Sequence, residues 1–270
     1  MSVPFIKMHA MGRDFILIDH RFMQYRFDTP RLCRRRSGIG CDTLVIMNDS
    51  STTNCDIDIF KADGVAANVY GNAARCVAHV LMMEGDLEHV VVGVNNEILP
   101  CWSKGSNYVK VNMGTPKFKW EMVKMSIYCN TMHVPISIGP LNDPVAIRIM
   151  GHSHVIFFIN DVSSIDLARY GPLVEQHDLF PEGINVVAAH VLNERKIKIR
   201  VWERGGIGET GDCSSAACAA LVAASRRKLT TNQDVMVSLS GGDLLVTWQH
   251  ESVSVTGPVQ MVFTGVYDIQ

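Results

Sequence analysis

The sequence lacks a strong excess of charge of either sign. Its 270 residues include 25 lysines and arginines against 27 aspartates and glutamates, which gives a formal charge of −2 at pH 7. A chain this close to neutral lacks the electrostatic footprint of a general nucleic-acid binder. Two short basic runs, at 34–36 and 226–228, are interpreted as solvated helix ends.

The sequence also lacks any apolar run of the ~20 residues that a membrane-spanning helix needs. Its first residues, MSVPFIKMHAMG, have neither the positive start nor the long apolar stretch of a signal peptide. We therefore expect a cytoplasmic protein that does not interact with a membrane.

Motifs for metals and cofactors are missing as well. Eight cysteines are present, but no two of them form a C-x-x-C pair, and no cluster of histidines has the spacing of a zinc site. The GGIG stretch at 205–208 has neither the G-x-G-x-x-G pattern nor the lysine of a phosphate-binding loop. No site for pyridoxal phosphate is recognisable. We therefore predict no metal and no cofactor, and cysteines that remain reduced thiols.

What the sequence does contain is an ordered internal repeat. YGNAARCVAHVL at 70–81 matches CSSAACAALVAA at 213–224, and GRDFILID at 12–19 matches GHSHVIFFIND at 151–161. Two further pairs, VNNEILPCW with SGGDLLVTW and VKVNMGTP with VSVTGP, occur in the same order. The four offsets lie between 139 and 146 residues. Four matches in one order indicate a duplication and two similar domains.

The local patterns predict a mixed α+β fold. Short β-rich segments are predicted at 44–47, 57–60, 90–94, 108–112, 155–159, 197–202, 235–239 and 244–248. Helices are predicted at 29–36, 71–83, 165–176 and 214–227. This order favours mostly antiparallel neighbours over a doubly wound parallel sheet. We place the two domains at 1–118 and 119–259, with the tail 260–270 returning to the first.

The segment GETGDCSSAAC at 208–218 contains the candidate reactive thiol. Cys213 stands directly before Ser214 and Ser215, which favour helix starts, and before an alanine-rich run. The thiol is therefore expected at a helix N-terminus, where the helix dipole lowers a thiol pKa. Two helix N-termini facing one cleft would bind a carboxylate. Racemisation at an α-carbon uses such a cleft, with a base on one face of the carbon and an acid on the other.

Seven motifs in one order resemble those of the diaminopimelate epimerase family: KMHAMGRDF, SGIGCDTLVI, KADG, YGNAARC, VNMGTP, VWERG and TGDCSSAAC. The resemblance covers nearly the whole chain. It implies two pseudo-symmetric domains, each a curved, mostly antiparallel sheet around a central helix, with the active site in the cleft between them. It also implies pyridoxal-independent chemistry in lysine and peptidoglycan biosynthesis and, for many members, a homodimer. In the family, two cysteines form the acid–base pair.

The resemblance assigns roles to individual residues, with several departures from the family pattern. Cys213 corresponds to the second family cysteine, but Tyr70 stands in the place of the first. A phenol has a reference pKa near ~10, against ~8.5 for a thiol, and a tyrosine is much larger. The predicted catalytic residues are Cys213, Tyr70 and Glu203. The predicted substrate-binding residues are Arg13, Thr43, Lys61, Gly71, Asn72, His152, Asn185, Arg204, Ser214 and Ser215.

Two further departures change the expected lining of the cleft, because Arg13 and Lys61 stand where the family has amide side chains. These departures leave three functions open. The first is a cofactor-independent isomerase that transfers a proton at the α-carbon of an amino-acid-like carboxylate, with a changed substrate or chemistry. Under this interpretation, the charges of Arg13 and Lys61 predict a second anionic group on the ligand. The second is a non-catalytic binding or regulatory paralogue, which would not exchange an α-hydrogen with D₂O. The third is a one-base lyase or cyclase, which would eliminate a β-leaving group without inverting a stereocentre.

Overall fold

Two structural units divide the chain. The computed structural model describes residues 2–67 and 70–268, apart from the side chain of Tyr70. Unit 1 contains Met1–Asn112 and Thr256–Gln270, and unit 2 contains Met113–Val255.

The first boundary falls earlier than the residue 118 expected from the sequence, and the returning tail begins at Thr256 rather than at residue 260. Met113 already pairs with a strand of unit 2, since its N–H donates to the carbonyl oxygen of Val253 at 2.8 Å. Backbone pairing within unit 2 therefore begins directly after residue 112.

The described strands of unit 1 form one mixed sheet. Across the sheet they are β7 (Tyr108–Asn112), β6 (Glu97–Ser103), β5 (His89–Val94), β4 (Cys55–Lys61), β3 (Thr43–Asn48), β2 (Arg13–Asp19), β1 (Ser2–Ala10) and β18 (Gln260–Asp268). The pairs β2–β3 and β4–β5 are parallel, and the other pairs are antiparallel. Parallel neighbours need a crossover connection. The helices α1 (Thr29–Cys33) and α2 (Tyr70–Gly85) lie in these two crossovers.

Unit 2 has a sheet of the same construction. Its strands, in order, are β10 (Val145–Ile149), β11 (His152–Phe158), β12 (Asn185–Asn193), β13 (Lys196–Glu203), β15 (Asp234–Leu239), β16 (Gly242–Gln249) and β17 (Ser252–Pro258), which ends beyond the unit boundary. The short β14 (Gly208–Thr210) pairs with β13, and β8 (Ser137–Ile138) pairs with β9 (Leu141–Asn142). The helices are α3 (Trp120–Val123), α4 (Leu167–Glu175) and α5 (Ser214–Arg226), with a 3₁₀ turn at Val162–Ser164.

The order of pairing senses is the same in both units. From β1 to β6 the neighbours are antiparallel, parallel, antiparallel, parallel and antiparallel. The same order recurs through β10, β11, β12, β13, β15 and β16. In each unit, a long helix lies between the strands of the second parallel pair: α2 between β4 and β5, and α5 between β13 and β15. This repetition confirms the predicted duplication and the mostly antiparallel α+β class.

The helices α2 and α5 form the centres of their units. Each packs against several strands of its own sheet. Residues 71–82 of α2 and 216–224 of α5 are buried, as expected of helices that are apolar on nearly every side. Small side chains dominate both segments. Because alanine adds little volume, the strands can approach each helix closely.

The predicted elements agree with the observed ones, with two corrections. The helix predicted at 29–36 ends at Cys33, because the backbone of Arg34 is extended. The basic run at 226–228 is not simply a solvated helix end: Arg226 stacks on the ring of Phe118 at 4.1 Å, and Arg227 binds Asp143 at 3.0 Å. In the part of the chain that the structure describes, no helix combines the length and apolarity needed to cross a membrane.

Candidate active site

Seven predicted site residues lie in unit 2, most of them at one edge of its sheet. His152 begins β11, Asn185 begins β12 and Glu203 ends β13. Because β11 and β12 are parallel and β13 is antiparallel to β12, these three positions share one edge. Arg204 follows Glu203 directly. The charge of Glu203 also acts on the thiol of Cys213, so the start of α5 lies at this edge as well.

Cys213 lies at the N-terminus of α5, as expected, but the N-cap residue is Cys213 itself and not one of the two serines. Its backbone is extended, and its carbonyl oxygen accepts the first helical hydrogen bond, from the N–H of Ala217 at 3.1 Å. The residue is only 8% exposed. Its sulfur lies 3.5 Å from the Ser215 hydroxyl oxygen. The thiol is thus held at the first turn of a thirteen-residue helix.

The expected lowering of the Cys213 pKa is wrong. Burial, followed by the negative charge of Glu203, raises the pKa of this thiol well above its ordinary value. Hydrogen bonds involving the Ser215 hydroxyl and the Ala216 backbone act in the opposite direction but do not prevail. Before a ligand binds, Cys213 is therefore a protonated thiol, which can act as an acid.

A short hairpin holds Glu203 in place. The hydroxyl of Thr210, on β14, donates to the Glu203 carboxylate at 2.5 Å. The guanidinium of Arg200 forms two hydrogen bonds with the Glu209 carboxylate, at 2.7 and 2.8 Å, across the same pair of strands. Such bidentate pairs fix geometry as well as charge. The carboxylate that acts on Cys213 is therefore positioned by β13 and β14 together.

Asn185 and Arg204 support the loop that follows β13. The side-chain oxygen of Asn185 accepts from the N–H of Arg204 at 3.0 Å. One guanidinium nitrogen of Arg204 donates to the carbonyl oxygens of Glu182 and Gly183, at 2.7 and 3.1 Å. Both predicted substrate-binding side chains thus hold two neighbouring loops together.

Two histidines on β11 lie at the same edge. Burial and the charges of Arg204 and Arg148 lower the pKa of His152 to about 4, so its imidazole is neutral at pH 7. His154 is fully buried, and burial holds its pKa well below the ordinary value. Neither of its ring nitrogens has a hydrogen-bond partner among the described residues. Sequence reasoning named His152 and missed His154, because an isolated histidine in an apolar strand gives no signal of burial without a partner.

Unit 1 places three predicted residues at the corresponding edge of its own sheet. Arg13 begins β2, Thr43 begins β3 and Lys61 ends β4. Thr43 lies directly opposite Lys61 in the antiparallel pair, and β2 runs parallel to β3. Thr43 is buried, whereas Arg13 and Lys61 are half-buried. These positions repeat those of His152, Asn185 and Glu203 in unit 2.

A network of charges holds this edge of unit 1. The Asp14 carboxylate accepts from Lys7 at 2.6 Å and from Arg35 at 2.8 and 2.9 Å. Arg35 also donates to Asp42 at 2.6 Å. Burial works to raise the pKa of Asp14, but the hydrogen bonds from Arg35 and Lys7 prevail and lower it. The residues flanking Arg13 and Thr43 are therefore fixed by a charged cluster.

The start of α2 contains the other predicted residues of unit 1. Gly71 and Asn72 are buried in its first turn. The Asn72 side-chain oxygen accepts from the fully buried guanidinium of Arg75 at 2.5 Å. The prediction for Tyr70 concerns a side chain that lies outside the described residues.

The two sets of predicted site residues therefore lie at equivalent positions in their own units. Each set comprises the ends of three strands and the first turn of the long helix. Within residues 2–67 and 70–268, no group of three or more His, Cys, Asp or Glu side chains is arranged to hold a metal ion.

The fold is one that epimerases use. A hydroxyproline epimerase from Agrobacterium vitis superposes with a TM-score of 0.65 at 11% identity, covering 98% of this chain and 92% of that one. A phenazine biosynthesis protein of the PhzF family from Bacillus anthracis has a TM-score of 0.68 at 13% identity and covers both chains completely. At such low identities, these similarities establish the fold alone.

Sequence comparison identifies the family. The profile described as diaminopimelate epimerase matches residues 5–119 and 147–262. A diaminopimelate epimerase from Wolbachia sp. subsp. Drosophila simulans (strain wRi) is 41% identical over 260 residues, which cover 96% of this chain and 97% of the relative. One from Acidiphilium cryptum (strain JF-5) is 36% identical, covering 98% and 96%. The chain belongs to the diaminopimelate epimerase family and is an isomerase with an amino-acid epimerase-like function.

Proposed function

We propose that this protein inverts the α-carbon of an amino acid that carries a second anionic group, with diaminopimelate as the first substrate to test. One observation carries the proposal: the Cys213 thiol is buried at the start of α5, and the negative charge of Glu203 helps to raise its pKa. Membership of the diaminopimelate epimerase family supports diaminopimelate as the substrate.

In the proposed reaction, Cys213 exchanges a proton with the α-carbon. The raised pKa keeps the thiol protonated in the free enzyme, so that it can donate its proton to one face of the carbanion. In the reverse direction, Glu203 first accepts the thiol proton, and the thiolate then removes the α-hydrogen. The N–H groups of Ser214 and Ser215, at the helix N-terminus, bind the α-carboxylate and stabilise the enolate-like charge.

The opposite face of the carbon requires a second proton carrier, and we assign it to Tyr70. Its phenol can donate a proton directly, and with a lowered pKa its phenolate can accept one. The backbone donors of Gly71 and Asn72 begin the other long helix, and we propose that they contact the same carboxylate. Because the reaction moves only protons, it uses neither a cofactor nor a metal.

The distal end of the substrate is assigned to the cationic edge of unit 1. Arg13 and Lys61 supply the positive charges that a second carboxylate needs. The other predicted binding residues shape and orient the substrate: Thr43, His152, Asn185 and Arg204. Because both cations depart from the family pattern, the proposal also covers a substrate that differs from diaminopimelate and still carries a second anionic group.

We further propose that the protein acts in the cytoplasm, in lysine biosynthesis, as a homodimer. All eight cysteines are free thiols, as a reducing compartment requires. β18 is the last strand of the unit 1 sheet and exposes Val262, Phe263 and Val266. An exposed apolar edge strand is a surface that a second chain can cover.

The proposal is tested by following stereoisomer interconversion of diaminopimelate with chiral chromatography. Cys213→Ala should lower the rate by about 10²-fold or more, because it removes one of two proton carriers. The matched control is Cys218→Ala, which removes a thiol from the same helix in the buried core and should retain activity. Full activity in Cys213→Ala would contradict the assignment.

The same assay separates the alternative functions. If the wild type inverts 2-aminoadipate or glutamate but not diaminopimelate, the α-carbon chemistry stands and the substrate assignment fails. Elimination of a β-leaving group without inversion would identify the one-base lyase. Ligand binding without inversion, elimination or α-hydrogen exchange would identify a non-catalytic paralogue.

A further inference from the structure

Two cysteines outside the candidate active site lie within contact distance of each other in unit 1. The sulfur of Cys41 lies 3.3 Å from the sulfur of Cys33, and the S–H of Cys41 points toward it. Both side chains are buried. Cys33 is the last residue of α1, and Cys41 lies two residues before β3.

The backbone already holds these cysteines in a geometry that a disulfide can adopt. The N–H of Cys41 donates to the carbonyl oxygen of Cys33 at 3.2 Å. The N–H groups of Ile39 and Gly40 donate to the carbonyl oxygen of Leu32, at 2.9 and 3.2 Å. A disulfide spans Cα atoms roughly 4.4–6.8 Å apart, and the direct backbone hydrogen bond and the 3.3 Å separation of the sulfurs keep these two residues close together. Bond formation therefore requires mainly that the sulfurs move to about 2.05 Å.

The surroundings of the pair distinguish its two thiols. The hydrogen bond from Cys41 lowers the pKa of Cys33, and the nearby Lys7 charge adds to this effect although burial opposes it. The same hydrogen bond, together with burial, raises the pKa of Cys41. By contrast, burial raises the pKa values of Cys55 and Cys76 to about 12. Cys33 is therefore the thiol suited to attack an oxidant, and Cys41 is suited to follow it.

We propose that Cys33 and Cys41 form a redox modification site, which a hydroperoxide oxidises to an intramolecular disulfide. The Cys33 thiolate attacks one peroxide oxygen, breaks the O–O bond and becomes a sulfenic acid, while the other oxygen leaves and is protonated. The Cys41 thiol then attacks the sulfenic sulfur, forms the S–S bond and releases water. In total, two thiols and one hydrogen peroxide give one disulfide and two waters.

Access to the pair is through the short loop that joins the two cysteines. Its residues 34–37 are exposed, and it is held closed by backbone hydrogen bonds and by the ion pairs of Arg35 with Asp14 and Asp42. Local opening of such a loop requires less free energy than unfolding of the unit. A small hydroperoxide can therefore reach Cys33 from this side, and a dithiol can later reduce the disulfide.

The experiment maps disulfides in the folded, full-length protein after treatment with hydrogen peroxide. The remaining thiols are blocked with N-ethylmaleimide, and the chain is digested with trypsin without reduction. Cleavage after Arg31, Arg34, Arg36 and Lys61 places Cys33 in peptide 32–34 and Cys41 in peptide 37–61. The expected result is a major product in which these two peptides are linked, and which dithiothreitol separates.

Peptide 37–61 also contains Cys55, so variants assign the bond. Cys55→Ser should retain the linked product, whereas Cys33→Ser and Cys41→Ser should each lose it. Circular dichroism before and after oxidation verifies that the protein stays folded. Absence of the link in the folded wild type, its formation only in urea, or its loss in Cys55→Ser would each overturn the proposal.

Discussion

At the scale of single residues, the protonation state of Cys213 is the property on which the proposed chemistry depends. Burial and Glu203 keep the thiol protonated, so the resting enzyme holds an acid at this position. A proton must leave before the same sulfur can act as a base. The neighbouring carboxylate makes the thiol harder to ionise and also offers a place for its proton.

Glu203→Gln should separate these two effects. Removing the negative charge lowers the pKa of Cys213, because ionisation of the thiol then no longer places two like charges together. Alkylation of Cys213 by iodoacetamide should accordingly begin at a lower pH than in the wild type, whereas stereoisomer interconversion should fall. The measurement is the alkylation rate of Cys213 as a function of pH, followed by peptide mass spectrometry.

Glu251→Gln is the matched control, because Glu251 lies in an exposed turn between β16 and β17. This variant should show the alkylation profile of the wild type. An unchanged profile in Glu203→Gln would mean that Glu203 does not govern the thiol.

The sequence allowed the position of Cys213 to be predicted, but not its pKa. Two serines and a run of alanines are local signals for a helix start, and the helix begins at Ser214. The burial of the sulfur and the approach of Glu203 depend on how β13 and α5 pack. An argument from the helix dipole alone therefore predicted a lowered pKa for Cys213, whereas the pKa is raised. His154 was missed for the same reason, since its burial is a tertiary property.

At the scale of elements, the turn into α5 determines where the thiol stands. Gly211 lies two residues before Cys213, and its carbonyl oxygen accepts from the N–H of Gly241 at 2.9 Å. A Cβ at Gly211 would collide with the Ser240 hydroxyl oxygen and would lie 2.9 Å from the Gly241 nitrogen. The entry to the helix therefore depends on the missing side chain.

Gly211→Ala should destabilise the protein by about 1–3 kcal/mol, as overpacking typically does. It should also reduce stereoisomer interconversion, because the collision displaces the segment that holds Cys213. Chemical denaturation measures the first effect and the stereoisomer assay the second. The double variant Gly211→Ala/Ser240→Ala should recover part of both losses, since it removes the nearer of the two colliding atoms. No loss in the single variant would contradict this account.

Strands and helices were predictable to the extent that their signals are local. The helix predicted at 71–83 spans Tyr70–Gly85, and the one predicted at 214–227 spans Ser214–Arg226. The helix expected to reach residue 36 stops at Cys33, because residues 39–41 return to pair with Leu32 and Cys33. That pairing joins the two ends of a loop, so no periodic pattern of apolar residues predicts it.

At the scale of the whole molecule, the duplication gives the two units equivalent sets of predicted site residues. Four imperfect repeats were enough to predict it, since they recur in order at nearly constant spacing. The sequence favoured mostly antiparallel neighbours, but it did not identify the parallel pairs such as β2–β3 and β4–β5, because parallel and antiparallel neighbours share the same apolar patterns. The return of the tail to the first unit was predicted, but the pairing of β18 with β1 was not, because it joins residues more than 250 positions apart.

The proposed homodimer is tested at the exposed edge of β18. Val266→Lys should shift the protein toward monomers in sedimentation velocity, because it places a charge on an apolar strand that pairs or packs with a second chain. Leu245→Lys, on the exposed side of β16 in unit 2, is the matched control and should leave the sedimentation unchanged. A wild type that sediments as a monomer at all concentrations would contradict the dimer.

The central claim, inversion through two proton carriers, is tested most directly by early-time deuterium incorporation. The wild-type enzyme is incubated with one diaminopimelate stereoisomer in D₂O, and product and recovered substrate are analysed separately by mass spectrometry. We predict that the product contains one α-deuterium while the recovered substrate still contains hydrogen, because one group removes the proton and another delivers deuterium. Deuterium in the recovered substrate without an inverted product, or in neither molecule, would contradict the account.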